Sequence, residues 1–590
     1  MSALEVIAAL KSQRVTPLEL IEDIAARIAA TNADTNAVVT LCLERARAQA
    51  KHYEQEPAPG PLFGLPILVK ENQPVEGELF TLGQRAFKAR IAAASHPIVE
   101  DLQAAGGIVV GLTNMPEHAA GSHTFNDVFG TTSNPHDLSR TAGGSSGGSA
   151  AALAVGAAWL ATGNDLGGSL RNPAAFCGVV GLRPSPGRCS MSPPPPTAWR
   201  GRWGVGLHGV QGPLARSVCD LALLLDALAP LSDAPSPVAR HWQESCIPEL
   251  PPPPRNGFLA HVRQAVAAAG EGPSASDKVG AGLPSQIAWS ANLGGLLKGV
   301  HPEIAAAVQS SALLLAASCG EGWAAVKNAA PAGLSGAHEA FKPLRFSRNL
   351  DDVAGGPGKV SDEYIAAHGN TTKPEILWEF EQGKADGWQR RVAEAEHSRQ
   401  EIEANFCRFL EVFDILVCPC TLMPPFDKSI RYPATYEPAP AAGAPKAHGR
   451  LEMPDYISWM LPCTVVSLAN LPALSLPVGF TKPSNGTKPL PIAVQLVARP
   501  GRDAELLAAA AVLERAIAQS ELAGASRLTP EGDVAVLPID PGSALPEATS
   551  GDGAPKAPRT NPAFAWSGPR TEAEAHAHLT RKQTRTQSTQ

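Results

Sequence analysis

The spacing of apolar residues along the chain switches repeatedly between the period of a helix and the period of a strand. Thr16-Pro-Leu-Glu19 is a capping box with proline at the first helical position, and it is followed by apolar residues at helical spacing. Short apolar runs end at Lys70 and occupy residues 107–111, with a helical segment near residues 98–105 between them. Because strand-length apolar runs alternate with helical segments, the pattern predicts an α/β fold whose sheet is buried on both faces.

The same alternation continues through the second half of the chain. It predicts strands and helices that we place at 286–290 (strand), 301–317 (helix), 413–418 (strand), 472–480 (strand), 492–498 (strand) and 504–518 (helix). Residues 232–286 interrupt this order with proline, glycine and alanine, which predicts a loop insertion. After residue 520 the composition becomes rich in Gly, Pro, Ser, Thr and charge, so we predict one domain over 1–520 and a disordered tail over 521–590.

Charge and hydropathy exclude several function classes. A net charge of −7 over 590 residues offers no basic surface for nucleic acid. No run of about 18 apolar residues occurs, which argues against a membrane span. The sequence Met1-Ser-Ala-Leu-Glu-Val-Ile7 lacks the pattern of a signal peptide, and we therefore expect a cytoplasmic protein.

Cysteine and histidine spacing gives no sign of disulfides or a metal. The ten cysteines show no paired spacing, and Cys418 and Cys420 end an apolar run, which predicts core thiols. His118, His123 and His136 match no compact zinc pattern, so we interpret them as loop histidines and predict no metal.

Two glycine-flanked serines and an upstream lysine carry the candidate chemistry. Ser145 lies in Gly143-Gly-Ser-Ser-Gly-Gly148, and Ser169 lies 24 residues later in Asp165-Leu-Gly-Gly-Ser-Leu-Arg171. Amide hydrolysis needs a nucleophile, a proton acceptor and donors for the oxyanion. Two glycines before Ser169 allow close backbone approach to a carbonyl, and a neutral lysine such as Lys70 can act as the base once burial lowers its pKa.

Together these residues resemble the amidase signature family of serine hydrolases over roughly residues 1–230 and 284–520. The resemblance implies an α/β amidase signature fold, with a large mixed sheet covered by helices on both faces. It implies a catalytic triad of Lys70, Ser145 and Ser169, in which Ser145 has a cis peptide bond and relays a proton. Ser145 is selected by the family spacing and not by its chemistry, because the hydroxyl of Ser146 would serve equally.

The resemblance also assigns supporting residues and ligands. It implies an oxyanion hole made by the backbone N–H groups of Leu166, Gly167 and Gly168, with Asp165, Arg171 and Ser146 bracing the loops. It implies no cofactor, and a small-molecule amide as the partner, with a homodimer left open. The predicted function is hydrolysis of a carboxylic amide to an acid and an amine or ammonia.

Other functions remain open from the sequence. The loop 143–148 around Ser145, here called the first serine loop, fits G-x-S-x-G, the nucleophile elbow of a Ser-His-Asp esterase. His208, His301 or His448 could serve as the histidine of such an esterase. A non-catalytic amide-binding protein is a further alternative. Within the family, the glutaminase (A-type) subunit of the tRNA-dependent amidotransferase carries an acid shortly after a tyrosine. Residues 457–462, after Tyr456, are free of acids, so we expect a small uncharged or hydrophobic acyl group, although Asp455 precedes that tyrosine.

Overall fold

The structure is a computed structural model that describes residues 1–190, 209–229, 250–251, 253–270, 272–350, 361–438, 449–482 and 488–519. These residues belong to one compact unit, Met1–Leu545. A second unit, Pro546–Gln590, and the tail predicted over 521–590 lie outside the described residues. In the ranges given, no helix has the length and apolar character needed to cross a membrane.

Sixteen α-helices occur in the described ranges. They are α1 Ala3–Lys11, α2 Pro17–Thr35, α3 Leu43–Gln55, α4 Pro97–Ala104, α5 Gly147–Ala154, α6 Arg171–Cys177, α7 Val218–Leu228, α8 Phe258–Ala268, α9 Ala275–Gly280, α10 Pro302–Ser318, α11 Ala337–Leu350, α12 Asp362–His368, α13 Pro374–Lys384, α14 Trp388–Val412, α15 Leu461–Leu468 and α16 Asp503–Gln519.

The strands are short. They are β1 Val38–Leu41, β2 Pro66–Lys70, β3 Ile108–Thr113, β4 Phe125–Asn126, β5 Gly130–Thr131, β6 Ser133–Asn134, β7 Asp137–Thr141, β8 Leu160–Asp165, β9 Val180–Arg183, β10 Val210–Ala215, β11 Gln286–Trp289, β12 Ala325–Asn328, β13 Ile415–Pro419, β14 Thr435–Tyr436, β15 Leu451–Glu452, β16 Ala473–Phe480 and β17 Pro491–Val497.

Eleven of these strands form one mixed sheet in the order β1-β3-β2-β8-β10-β9-β16-β17-β13-β11-β12. The strands β2, β3 and β8 run parallel, as do β13, β11 and β12, and the remaining neighbours are antiparallel. Every residue of β2, β3, β10 and β17 is buried, because helices cover both faces of the sheet. The predicted α/β fold with a large mixed sheet is confirmed.

The predicted elements of the second half agree closely with the structure. The segments 286–290, 301–317, 472–480, 492–498 and 504–518 each end within one residue of the observed β11, α10, β16, β17 and α16. The capping box at Thr16 is formed, with its hydroxyl accepting from the N–H of Glu19. Cys418 and Cys420 are buried free thiols, as predicted.

The described part of the predicted loop, within 232–286, contains two helices, α8 and α9. The prediction of a loop is wrong there for a physical reason. Phe258, Val262 and Ala265 recur at helical spacing and are buried, and the carboxylate of Asp226 accepts the N–H groups of Phe258 and Leu259 at 2.6 and 3.1 Å. Alanine-rich composition therefore signals a packed helix here.

The sheet order brings the two chemical segments together. Leu68 of β2 pairs with Ala161 of β8 in parallel, so the carboxyl ends of both strands lie at the same edge of the sheet. Lys70 ends β2 and Asp165 ends β8. The loop after β8 leads into α6, and the first serine loop leads into α5.

Candidate active site

Lys70 lies in the interior of the protein with its side chain fully buried. Its Nζ is 2.7 Å from Ser145 Oγ and 2.5 Å from Asn164 Oδ1. Burial lowers the pKa of this amine well below its ordinary value of 10.5, and the nearby charge of Asp165 only partly opposes the effect. Burial thus favours the neutral amine, which is the form that can accept a proton.

Ser145 lies in a loop whose backbone carbonyls accept hydrogen bonds from two hydroxyl groups of another segment. The peptide bond between Gly144 and Ser145 is cis. Ser122 Oγ donates to the carbonyl of Gly144 at 2.9 Å, and Thr124 Oγ1 donates to the carbonyl of Gly143 at 2.8 Å. The loop is thereby fixed with the Ser145 hydroxyl on Lys70.

Ser146, the competing serine, is also buried, but its hydroxyl faces the carbonyl of Asn164 at 3.5 Å. The structure therefore brings Ser145, and not Ser146, into contact with Lys70.

Ser169 lies beside the first serine loop. Its carbonyl accepts the N–H of Ser146 at 3.2 Å, and at 7% exposure it is the most accessible of the three residues of the predicted triad. None of the described residues forms a hydrogen bond with the Ser169 hydroxyl. The Lys70–Ser145 contact is thus made, and the Ser145–Ser169 hydrogen bond is not.

The backbone N–H groups between Asp165 and Ser169 fall into two sets: one bonds the carboxylate of Asp165, and the others have no acceptor in the described structure. The N–H of Gly168 donates to Asp165 Oδ1 at 2.8 Å, so this group points away from a substrate carbonyl. This differs from the expectation that Gly168 contributes to an oxyanion hole. Within the described structure, the N–H groups of Leu166, Gly167 and Ser169 have no acceptor, which leaves them for an oxyanion.

The loop over residues 165–169, called the nucleophile loop after the predicted nucleophile Ser169, requires its glycines. Gly168 has φ of +112°, and a Cβ there would lie 2.6 Å from Cys463 Cβ. At Gly167 a Cβ would lie 2.8 Å from the ring of Phe341. The loop is therefore packed against α11 and α15 with no room for a side chain.

Asp165 and Arg171 form a buried pair behind the loop. Arg171 Nη2 lies 2.9 Å from Asp165 Oδ1, and Arg171 Nε lies 3.0 Å from Oδ2. Arg171 also donates to Ser467 Oγ at 2.6 Å and to Gln495 Oε1 at 2.5 Å, which ties the loop to α15 and β17. Both charged side chains are completely buried.

Electrostatics keep Asp165 ionised. Burial alone would raise its pKa, but Arg171, Arg183 and the N–H of Gly168 together hold that pKa well below the ordinary value of 3.8. Arg183 was not a sequence-predicted site residue; its Nη1 donates to the backbone carbonyl of Asp165 at 2.6 Å. A fixed negative charge thus orders the turn that carries Ser169.

A cavity lies beside Ser122, the residue that holds the Gly144 carbonyl. Its walls combine aromatic and ionic side chains, and the lining residues are Gly121, Ser122, His123, Lys373, Glu375, Arg431, Tyr432, Tyr456 and Trp459. Arg431 forms a two-pronged pair with Glu375, its Nε lying 2.8 Å from Oε1 and its Nη2 2.5 Å from Oε2. Lys373 is almost fully buried, and its Nζ donates to the carbonyl of Ala120 at 2.8 Å.

The charged wall of this cavity differs from the apolar surroundings that we expect for the uncharged acyl group predicted from residues 457–462. Charged side chains reach the cavity from α13 and its N-terminal flank and from the loop after β13, segments far from Tyr456 in sequence. Asp455 does not line the cavity; it lies 3.4 Å from the ammonium of Lys342 and accepts from the hydroxyl of Ser458 at 2.8 Å.

Two of the three histidines considered from the sequence as metal ligands, His123 and His136, have hydrogen-bond partners of a structural kind. His123 pairs with Thr141 Oγ1 at 2.8 Å, and His136 with the carbonyl of Cys177 at 3.0 Å. Burial lowers the pKa of His118 to about 3 and that of His123 to about 4. Across the described ranges, no three His, Cys, Asp or Glu side chains form a group able to hold a metal.

The nucleophile-elbow alternative lacks a histidine in the described residues. No histidine there forms a hydrogen bond with Ser145 or Ser169. The ring of His301 is partly buried beside α10, and His208 and His448 lie outside the described residues.

Two further residues contact Lys70 that the sequence did not single out. Asn164 contacts Lys70, and Gln73 accepts the Lys70 backbone N–H at 3.3 Å while donating to the carbonyl of Gly163 at 3.0 Å. A usable signal was present, because Thr162, Asn164 and Asp165 are polar residues inside a strand whose neighbours are buried.

Known proteins of one family match this chain over most of its length. The family model described as Amidase matches residues 19–507. The A-type subunit of the glutamyl-tRNA(Gln) amidotransferase of Synechococcus sp. (strain RCC307) is 30% identical over 530 residues, covering 86% of this chain and 96% of the relative. The corresponding A-type protein of Anaeromyxobacter dehalogenans (strain 2CP-C) is 31% identical over 526 residues, covering 86% and 94%.

Among solved structures, a bacterial aryl acylamidase of the amidase signature family superposes with a TM-score of 0.70. It is 23% identical, and the match covers 88% of this chain and 96% of that one. This likeness supports the fold.

Proposed function

Because this chain belongs to the amidase signature family of enzymes that cleave amide C–N bonds, we propose that it hydrolyses a carboxylic amide through an acyl-Ser169 intermediate. The observation that carries the proposal is the 2.7 Å contact between Lys70 Nζ and Ser145 Oγ in a fully buried site. In the proposed proton path, a lysine whose pKa is lowered by burial takes a proton through the hydroxyl of Ser145 from Ser169.

The reaction follows from these positions. Neutral Lys70 takes the proton of Ser145, which takes the proton of Ser169 as its oxygen attacks the amide carbon. The N–H groups of Leu166, Gly167 and Ser169 stabilise the negative oxygen of the tetrahedral intermediate. The proton returns along the same path to the leaving nitrogen, the C–N bond breaks, and water repeats the sequence on the acyl-enzyme.

For the acyl part of the substrate we propose a polar, ionised group, as in glutamine. The cavity beside Ser122 presents Lys373, Glu375 and Arg431; because Arg431 is paired with Glu375, the amine of Lys373 is the group that favours a carboxylate. The relatives named above are A-type subunits of glutamyl-tRNA(Gln) amidotransferases, and we extend that description to this chain as release of ammonia from a glutamine-type amide. Under this proposal the partners include other protein subunits.

A second candidate is an uncharged or hydrophobic acyl amide, which the aromatic part of the same site favours. Trp459 lines the cavity and stacks on Phe176 with ring centroids 5.7 Å apart. The ring of Phe341 lies against Gly167 of the nucleophile loop. Flat apolar surfaces of this kind suit an aryl or alkyl acyl group.

Replacing Lys373 with methionine separates the two candidates. For a glutamine-type substrate, Lys373→Met should raise KM by about 10-fold or more, since a hydrogen bond to a charged group contributes about 1.5–3 kcal/mol. Hydrolysis of an uncharged amide such as propionamide should change less than about twofold. Burial lowers the pKa of Lys373 to about 8, so glutamine binding by the unmodified protein should weaken above that pH.

The control is Lys384→Met, a lysine with 45% side-chain exposure paired to Asp362, which should alter neither substrate. Thermal unfolding of both variants would verify folding. If the unmodified protein prefers uncharged amides and Lys373→Met leaves that preference intact, the ionised-substrate proposal is wrong and the second candidate stands.

A further inference from the structure

The amine of Lys70 has a second partner that the triad does not include. Asn164 Oδ1 lies 2.5 Å from Nζ, closer than Ser145 Oγ at 2.7 Å. A carbonyl oxygen only accepts hydrogen bonds, so the amine must donate in this contact. A neutral amine has two N–H groups and one lone pair. With one N–H directed at Asn164, the lone pair is available for the O–H of Ser145.

The backbone of Asn164 is firmly held. In the central sheet it pairs with Gln211 of β10. On one side the carbonyl of Gly163 accepts from Gln73, and on the other Asp165 is fixed by Arg171. A side chain on such a strand end has a defined direction, because both neighbouring residues are immobilised.

We propose that Asn164 is a positioning residue of the catalytic lysine: its amide oxygen takes one N–H of Lys70 and thereby directs the lone pair of the amine to Ser145. The inference rests on the proposed function. It also explains why a neutral amide suits this position. A carboxylate at the same place would favour the ammonium form of Lys70, which cannot accept a proton.

Few charged groups face Lys70. From β8 the nearest is Asp165, whose charge is shared with Arg171 and Arg183. The neighbouring β3 and α5 carry no titratable side chains. On α2, which also packs against β2, Asp23 pairs with Arg27 at 2.7 Å, and its other acids are exposed.

Glu71 is the other titrating neighbour. It follows Lys70 in sequence, and burial raises its pKa to about 7. The wild-type protein and all variants of the test below retain Glu71, so a difference between their pH profiles reports the change at residue 164.

The test is the pH dependence of Ser169 labelling by a fluorophosphonate in the full chain. Asn164→Asp keeps the shape of the side chain and adds a negative charge at Nζ. An opposite charge this close shifts a pKa by about 1–3 units. The rise of the labelling rate with pH should therefore move at least one pH unit higher, so that the rate on the rising part of the wild-type profile falls about 10-fold and recovers at high pH. A purely structural role for Asn164 would not move the profile.

The matched control is Asn292→Asp, the same change at an exposed asparagine outside the sheet, which should retain the wild-type profile. Asn164→Ala, which adds no charge, should label about 10-fold more slowly at every pH and serves if Asn164→Asp fails to fold. A folded Asn164→Asp or Asn164→Ala protein with the wild-type rate and profile overturns this inference alone. Absence of a Ser169 adduct in the wild-type protein overturns the proposed function as well.

Discussion

Lys70→Ala is expected to lower kcat/KM for amide hydrolysis by about 10³-fold or more, near the upper part of the range for loss of a general base. The amine is buried and joined to Ser145, and no other described titratable group contacts that hydroxyl. Lys70→Arg should be equally inactive, since a guanidinium stays protonated and cannot accept the proton. Steady-state kinetics, with thermal unfolding to verify folding, measures both.

The pH dependence has a definite sign. Burial lowers the pKa of Lys70, so activity should rise with pH through that lowered value, below which the amine is charged and inactive. Lys88→Ala, at an exposed lysine, is the control and should keep full activity. A fully active Lys70→Ala protein, or a folded His301→Ala protein as inactive as Ser169→Ala, is incompatible with the proposed mechanism.

Arg171→Met is expected to lower the free energy of unfolding by about 3–5 kcal/mol, because it leaves the buried charge of Asp165 without its main partner. Arg183, 3.7 Å from the same carboxylate, compensates only in part. Denaturant unfolding at several pH values is the measurement. The pKa of Asp165 is depressed in the folded protein, so the ion pair stabilises above the ordinary carboxyl pKa and loses its effect as pH falls. The deficit of the variant should accordingly be largest near neutral pH.

The control for this prediction is Arg390→Met. Arg390 has 80% side-chain exposure and pairs with Glu394 at 3.7 Å, and the loss of such a pair should cost less than about 0.5 kcal/mol. Equal stability of Arg171→Met and the unmodified protein at pH 7 would show that the buried pair does not hold the nucleophile loop.

The sequence predicted the elements of the fold better than the contacts of the site. Periodicity located β11, α10 and α16 within a residue, because apolar spacing is a local property. It failed over α8, where alanine-rich composition resembled a loop. Asn164 could not be assigned to Lys70 from sequence, since that contact exists only because β2 lies beside β8.

The cavity was beyond sequence analysis for the same reason. Lys373, Glu375 and Arg431 come from segments separated by the whole of α14 and β13, and only the folded chain places them opposite Tyr456. From the apolar residues after Tyr456 alone we predict an uncharged acyl group, because the sequence does not show these charged neighbours. The direction of the Gly168 N–H was equally hidden, since it depends on the carboxylate of Asp165.

The most direct test of the central claim is peptide mapping by mass spectrometry after reaction with a fluorophosphonate. We predict a single adduct on Ser169, absent in Ser169→Ala and formed more slowly in Ser145→Ala than in Ser146→Ala, because Ser145, unlike Ser146, contacts Lys70 and relays the proton in the proposed mechanism. An adduct on Ser145, together with an active Ser169→Ala protein, would contradict the proposed mechanism.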